Sequence, residues 1–305
     1  MPASVTVRVP GSTSNLGAGF DCVGVAVDRR LVLTARLSSS PAVTIERRGT
    51  LDQLTIPADQ DLCYRGFARA CEVAGRGTPP SVVLSVESEI PVGRGLGSSA
   101  AAAVAGAVAA SALLELGLER DALVDLCAAL EGHPDNVAPA VAGGAVLAVA
   151  ARAGSGVVVT PLVVHTSLAL VFAIPDFAVE TKQARAVLPG SVSHSTAVAG
   201  AARAAALVQG LASADARLLA LALDDVLHVP FRRRLVPGYD AVVSAALGAG
   251  AFGATLSGSG PTVLALASSQ RATGVGEAMV GAWRESGVRA ESFLQPRPAG
   301  GYEIA

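Results

Sequence analysis

The chain has 305 residues, 51% hydrophobic and 16% charged, with a formal net charge of -2. Near-neutral charge gives no broad electrostatic basis for nucleic-acid binding, and this apolar content is incompatible with intrinsic disorder. Four cysteines (Cys22, Cys63, Cys71 and Cys127) show no metal-type spacing and are too few for a disulfide scaffold.

Mean hydropathy is +0.51, and residues 95–114, 153–175 and 241–270 contain no Asp, Glu, Lys or Arg. Each stretch is long enough to span a bilayer. The first, however, is mostly Ala, Gly and Ser. The second is cut by Gly154, Gly156, Pro161 and His165, and the third by five glycines and Pro261. None has the aromatic belt or basic flank of a spanning helix, so no membrane partner is expected. Residues 1–10 lack a charged leader followed by an apolar core. The expectation is a cytoplasmic protein with small buried thiols. Lys182 is the one lysine among 23 basic residues, so lysine chemistry has a single candidate.

In chain order, residues 4–9 alternate polar and apolar and predict a strand. Val- and Leu-rich residues 20–37 predict one or two more, and residues 43–45 another. Leu62, Phe67, Ala70 and Cys71 have helical spacing within 61–74. A strand at 81–87 leads into a glycine-rich loop, 91–97. A helix is predicted over 98–116 with Gly117 as its C-cap residue. A helix at 119–130 is followed by a polar break, 131–136, and a hairpin of 144–150 with 157–160. The second half predicts strands at 168–174, 252–256, 262–267 and 288–293. Its helices are predicted at 180–188, 196–211, 214–223, 239–247 and 271–286. Strands and helices mix without strict βαβ alternation, which implies an α+β protein of two lobes, 1–155 and 156–305.

The loop Pro91-Val-Gly-Arg-Gly-Leu-Gly-Ser-Ser-Ala100 follows a strand and opens a long helix. Glycines let the backbone approach a ligand closely. The helix N-terminus offers free N–H groups and a positive dipole end, which suits phosphate. Ser98 and Ser99 add hydroxyls of the hard-oxygen type that Mg2+ prefers. There is no Walker Gly-Lys-Ser/Thr, and Gly93, Gly95 and Gly97 do not fit the dinucleotide fingerprint. Three further segments share this polar, glycine-rich character: Pro10-Gly-Ser-Thr-Ser-Asn-Leu-Gly-Ala-Gly-Phe-Asp21, Glu131-Gly-His-Pro-Asp-Asn136 and Thr255-Leu-Ser-Gly-Ser-Gly-Pro-Thr262. Together they suggest one composite site.

These four segments resemble the motifs of the GHMP kinase superfamily, and Glu131–Asn136 resembles its homoserine kinase branch. Glu180-Thr-Lys-Gln-Ala-Arg185, Pro230-Phe-Arg232 and Leu235-Val-Pro-Gly238 also resemble that branch. The resemblance runs from about residue 4 to 294, with Gly11, Ser14 and Ala18 as mild departures. It implies a two-lobed GHMP kinase fold, with an N-terminal lobe like ribosomal S5 domain 2 and a ferredoxin-like C-terminal lobe. It further implies ATP and Mg2+, a homodimer, and transfer of the ATP γ-phosphoryl group to the γ-hydroxyl of L-homoserine in threonine biosynthesis.

By this resemblance Pro91, Gly93, Gly95, Leu96, Gly97, Ser98, Ser99 and Ala100 hold the nucleotide, and Ser99 and Glu131 bind Mg2+. Arg94 either touches phosphate or points to water. Asp61 stands where relatives commonly have an Asn near the adenine, which leaves the donor nucleotide open. The substrate carboxylate suits guanidinium forks, and Arg185 and Arg232 fit, with Arg233 and Arg234 as neighbouring candidates. Asp21 suits the ammonium, and Asn15, Thr181, His133, Asp135, Asn136 and Gly258 complete the substrate set. Ser99, Glu131, His133 and Asn136 form the catalytic set. His133 and Asp135 are conceivable proton acceptors; the Asn136 amide is not, and the branch implies direct transfer without a clear base. The alternatives are a kinase for another small alcohol, such as shikimate or a mevalonate derivative, and a non-catalytic ligand-binding member.

Overall fold

A computed structural model of the chain describes residues 2–39, 42–79, 81–151 and 156–305. The first half contains β1 (Ser4–Asn15), β2 (Gly19–Leu37), β3 (Val43–Gly49), α1 (Leu62–Val73), β4 (Val82–Ser88), α2 (Ser98–Leu113), α3 (Arg120–Glu131), α4 (Val137–Ala142), β5 (Ala145–Ala150) and β6 (Val157–Leu162). The second contains β7 (Leu168–Pro175), α5 (Thr181–Ala186), α6 (His194–Ser213), α7 (Ala216–Leu223), α8 (Val229–Arg232), α9 (Tyr239–Gly248), β8 (Gly253–Leu256), β9 (Val263–Ser268), α10 (Ala272–Glu285), β10 (Ala290–Gln295) and β11 (Glu303–Ile304).

Two sheets organise these elements, as the α+β reading requires. The larger has the order β11-β1-β2-β4-β3, with β5 on β2 and β6 on β5; the smaller has the order β10-β7-β9-β8. Residues 20–37 form a single strand that serves two sets of partners. Its later part, Leu31–Leu37, pairs with β4, and Val23–Val25 pair with β5. The lobe boundary expected near residue 155 lies outside the described residues. Val157–Leu162 pairs with β5, and the C-terminal Glu303–Ile304 returns to β1, so both flank the first sheet. No helix among the described residues is long and apolar enough to cross a membrane.

The charge-free stretch at 95–114 is explained by packing. An α-helix that is apolar all round must be buried, and α2 is buried along most of its length between the sheet and its neighbouring helices. Its small residues admit α1 at backbone distance. A Cβ placed at Gly106 would stand 1.8 Å from the Cys63 carbonyl oxygen, and one at Gly66 would stand 2.1 Å from that of Ala103.

This helix stops at Leu113, short of the expected cap at Gly117. Glu115 already takes the left-handed conformation (φ 53°), two residues before Gly117 (φ 69°) does, and the Leu116 N–H reaches back to the Ser111 carbonyl at 2.9 Å. That is the helix-ending bond pattern usually built on glycine, here followed by a Leu118 N–H bond to Ser111 Oγ. Strand β1 is longer than its alternation indicated, because the polar residues Ser12–Asn15 continue it in buried positions.

In an open helix Gly→Ala stabilises by about 1 kcal/mol. At Gly106 the crowding reverses that sign, and Gly106→Ala is expected to destabilise by ~1–3 kcal/mol. Urea denaturation checks it, and a variant more stable than the parent contradicts the packing account.

Candidate active site

Between the lobes lies a cleft of about 330 Å³. It is lined by the site residues named from the sequence except Ala100, which is buried in the first turn of α2, and the alternative candidates Arg233 and Arg234, which are exposed. The glycine loop forms one wall. Gly93, Gly95 and Gly97 have φ values of 67°, 73° and 70°, a region in which other residues are strained. Gly97 immediately precedes α2, so the first N–H groups of that buried helix face the cleft.

The loop is fixed by its neighbours. Ser12 N–H donates to the Leu96 carbonyl at 3.0 Å, and Ser257 Oγ donates to the Gly95 carbonyl at 2.6 Å. Arg94 was expected at phosphate or in water. Its guanidinium instead donates to the carbonyls of Val92, Pro175 and Asp176, clamping the loop to the end of β7.

At the mouth of the loop, Ser99 Oγ donates to Glu131 Oε2 at 2.7 Å. Burial pushes the Glu131 carboxyl above its ordinary range, against the Ser99 bond and the His133 charge. These two hard oxygen donors suit Mg2+, which takes one or two carboxylates and completes its shell with water and phosphate. No cluster of three or more His, Cys, Asp or Glu ligands occurs among the described residues.

Polar side chains of β1 build the next layer. Ser12 Oγ donates to Asn136 Oδ1 at 3.0 Å, and Asn136 Nδ2 donates to Ser14 Oγ at 2.9 Å. Thr13 Oγ1 and Ser257 Oγ are 2.8 Å apart. His133 Nδ1 lies 2.7 Å from Asp135 Oδ1. Burial pulls the His133 pKa down, but the bond and charge of Asp135 outweigh it and raise the value above normal. Burial pushes Asp135 up, and His133 more than reverses this, holding the carboxyl low.

Asn15 and Asp21 both adopt left-handed backbone, with φ 72° and 56°, which their short polar side chains tolerate. Asn15 Oδ1 accepts the Asp21 N–H at 2.9 Å, and Asn15 Nδ2 donates to the Gly258 carbonyl at 2.9 Å. This turn aims the Asp21 carboxylate at Arg185, whose two Nη groups reach it at 3.1 and 2.9 Å. Thr181, at the exposed start of α5, closes the same end.

Among the three adjacent arginines the geometry separates the candidates. Arg232 lines the cleft, while Arg233 is exposed and pairs with Asp240 at 3.1 Å. Arg232 Nε donates to the Ala184 carbonyl at 3.1 Å, and Nη1 to that of Gly258 at 3.3 Å. Burial, then the Arg185 charge, lowers its pKa to about 10. Asp61, expected beside the base, lines that end of the cleft. Its carboxylate accepts the Cys63 N–H at 2.8 Å, capping α1, and accepts Arg47 Nη2 at 2.7 Å.

Sequence reasoning did not single out Arg47, Phe20, His228 or the individual hydroxyls of Ser12, Thr13, Ser14 and Ser257. The hydroxyls lie inside segments recognised as loops, but their buried pairing joins residues more than a hundred positions apart.

The chain matches the GHMP kinases N terminal domain over residues 61–144 and the GHMP kinases C terminal domain over residues 205–285. Fold and cleft are those of a GHMP kinase. It is 43% identical to the homoserine kinase of Trichormus variabilis over 291 residues, 94% of each chain. It is 45% identical to that of a Synechococcus species over 290 residues, again 94% of each. The crystal structure of homoserine kinase from Cytophaga hutchinsonii superposes with a TM-score of 0.89 at 32% identity, covering 100% of this chain and 98% of that one. The chain belongs to the homoserine kinase family.

His228 is fully buried. Burial lowers its pKa from the ordinary 6.5; Asp225, the Gly17 carbonyl and Asp21 oppose that shift, and Arg232 reinforces it. The unfolded chain therefore takes up a proton that the folded one refuses. The stability concerned is complete above about pH 6.5 and is lost as pH falls from there through the lower folded value. Between pH 7 and 5, unfolding free energy is expected to fall more steeply in the parent than in His228→Gln. Parallel curves contradict this.

Proposed function

We infer that the chain transfers the γ-phosphoryl group of ATP to the γ-hydroxyl of L-homoserine, giving O-phospho-L-homoserine for threonine biosynthesis. The observation that carries this reading is the meeting, in one cleft, of an anion-binding loop with a carboxylate–guanidinium set suited to a zwitterion. The β- and γ-phosphates lie along the backbone of Gly93–Ser98 at the N-terminus of α2. Ser99 and Glu131 hold Mg2+. When bound, the metal neutralises charge on the phosphate oxygens.

The substrate carboxylate docks on Arg185 and Arg232, and its ammonium on Asp21. Asp21 and Arg185 bind each other bidentately and are both about a third exposed, so opposite ends of one zwitterion can replace both halves of the pair. An anion or a cation alone leaves one of these charges unmatched.

Asn15, Thr181, His133 and Asn136 surround the hydroxyl end. Asp135 is 1% exposed and already accepts from His133 and from Asn136, and His133 is raised toward its protonated form. Neither is a free base. This supports direct in-line attack, in which positioning and charge neutralisation do most of the work. We include the homodimer in this proposal; light scattering at twice the chain mass supports it, and a stable monomer contradicts it.

A coupled ADP-release assay across homoserine, shikimate and mevalonate tests the substrate. Turnover is expected with homoserine and to depend on Mg2+; no turnover with homoserine beside good turnover of another alcohol overturns the assignment. Ser99→Ala and Glu131→Ala are expected to lower kcat by about a hundredfold, the scale on which preorganised electrostatic groups act. Unchanged phosphorylation in Glu131→Ala contradicts the metal assignment.

A further inference from the structure

Behind Arg232 lies a stack that the reaction itself does not use. The Arg232 guanidinium sits 5.1 Å from the centre of the Phe20 ring. Phe20 in turn stacks on the His228 imidazole, with centroids 4.8 Å apart and planes inclined by 20°. His228 is fully buried and Arg232 is 2% exposed.

The hydrogen bonds fix the imidazole tautomer. Nε2 lies 3.1 Å from the Gly17 carbonyl and 3.8 Å from Asp225 Oδ2, both acceptors, so Nε2 carries the proton. Nδ1 then presents a lone pair, and it is met by Arg232 Nη1, a donor, at 3.4 Å. Asp225 holds the segment in place by accepting the backbone N–H groups of Leu227, His228 and Val229. The neutral ring therefore joins two parts of the cleft: the turn carrying Asn15 and Asp21, through Gly17, and the guanidinium, through Nδ1.

We propose that His228 and Phe20 are positioning residues that hold the Arg232 guanidinium in the orientation that receives the substrate carboxylate. This rests on the reading of Arg232 as a carboxylate ligand. Arginine binds a carboxylate best when its planar fork is pre-organised. Phe20 supplies a ring face beneath the guanidinium carbon. His228 supplies an acceptor for an N–H that points away from the ligand. Loss of either leaves the charge in place and releases its orientation.

The test is steady-state kinetics at saturating MgATP with two acceptors: L-homoserine, and aminopropanol, which is homoserine without its carboxylate. His228→Phe keeps a stacked ring and removes both nitrogens. Phe20→Leu removes the ring beneath Arg232 at a part-exposed position. Each is expected to raise the homoserine KM about tenfold, within the range of coupling between contacting residues. In both, kcat and the ATP KM stay within about twofold, and kcat/KM for aminopropanol is unchanged, since the positioned contact is absent from that substrate. His228→Gln retains a donor for Gly17 and an acceptor for Arg232, and is expected to stay within about threefold of the parent.

Equal losses on the two acceptors, a loss confined to kcat, or no loss in either variant overturns the proposal. If His228→Phe fails to fold, Phe20→Leu carries the same comparison. A parent that does not phosphorylate homoserine overturns the underlying reading instead, which separates the two failures.

Discussion

The site depends on close backbone approach at Gly97. A Cβ there would meet Ser12 Oγ at 2.0 Å, and one at Gly95 would meet the Ser257 carbonyl oxygen at 2.2 Å. Without side chains at these positions, three segments from distant parts of the chain lie against one another: the end of β1, the loop before α2 and the turn between β8 and β9. That contact directs the α2 N-terminus into the cleft. It also buries a row of hydroxyls and amides that would each be costly to leave unpaired. Ser12, Thr13, Ser14 and Asn15 are all nearly inaccessible; Ser12 and Ser14 bond to Asn136, and Thr13 and Asn15 to the turn at Ser257 and Gly258. The loop geometry and the Asn15–Asp21 end of the cleft are therefore built together.

Electrostatics divide the cleft into two regions. Around the glycine loop, backbone N–H groups and the α2 dipole provide positive character without a lysine; Lys182 is exposed and outside the cleft wall. At the other end, polar groups are matched in pairs, the Asp21 carboxylate with the Arg185 guanidinium and the His133 ring with Asp135, which raises the affinity of that ring for a proton. Arg232 is the exception. It is buried, its pKa is drawn down to about 10, and the contacts that fix it are carbonyls, a ring face and a neutral imidazole. Its hydrogen bonds are to neutral groups, and the carboxylates of Asp21, Asp135 and Asp225 act on it only through space, so a buried cation so arranged favours a directly bonded anionic partner.

Much of this was legible in the sequence, for particular reasons. The glycine loop reads directly, because glycine spacing and the following helix are local signals. The α+β class follows from the mixture of periodicities. The fate of the polar run 12–15 does not: its residue types signal a loop, and only long-range partners make it a buried strand. Glycine is the commonest helix stop, which puts the expected cap of α2 at Gly117, whereas Glu115 takes the left-handed conformation two residues earlier and ends the helix. Asp61 stood out as a departure near the base, but its pairing with Arg47 depends on β3 and α1 meeting at the cleft rim. His228 gave no signal of its own; a single histidine becomes informative only when its two nitrogens are seen to face an acceptor and a donor.

The central claim is direct transfer between two bound substrates, with no residue of the chain taking the phosphoryl group on the way. It is tested most directly with ATP made chiral at its γ-phosphorus by oxygen isotopes, reading the configuration of the O-phospho-L-homoserine formed. A single in-line displacement inverts the phosphorus centre, and inversion is the predicted result. Retention requires two displacements through a phosphorylated residue of the enzyme, and would contradict the account.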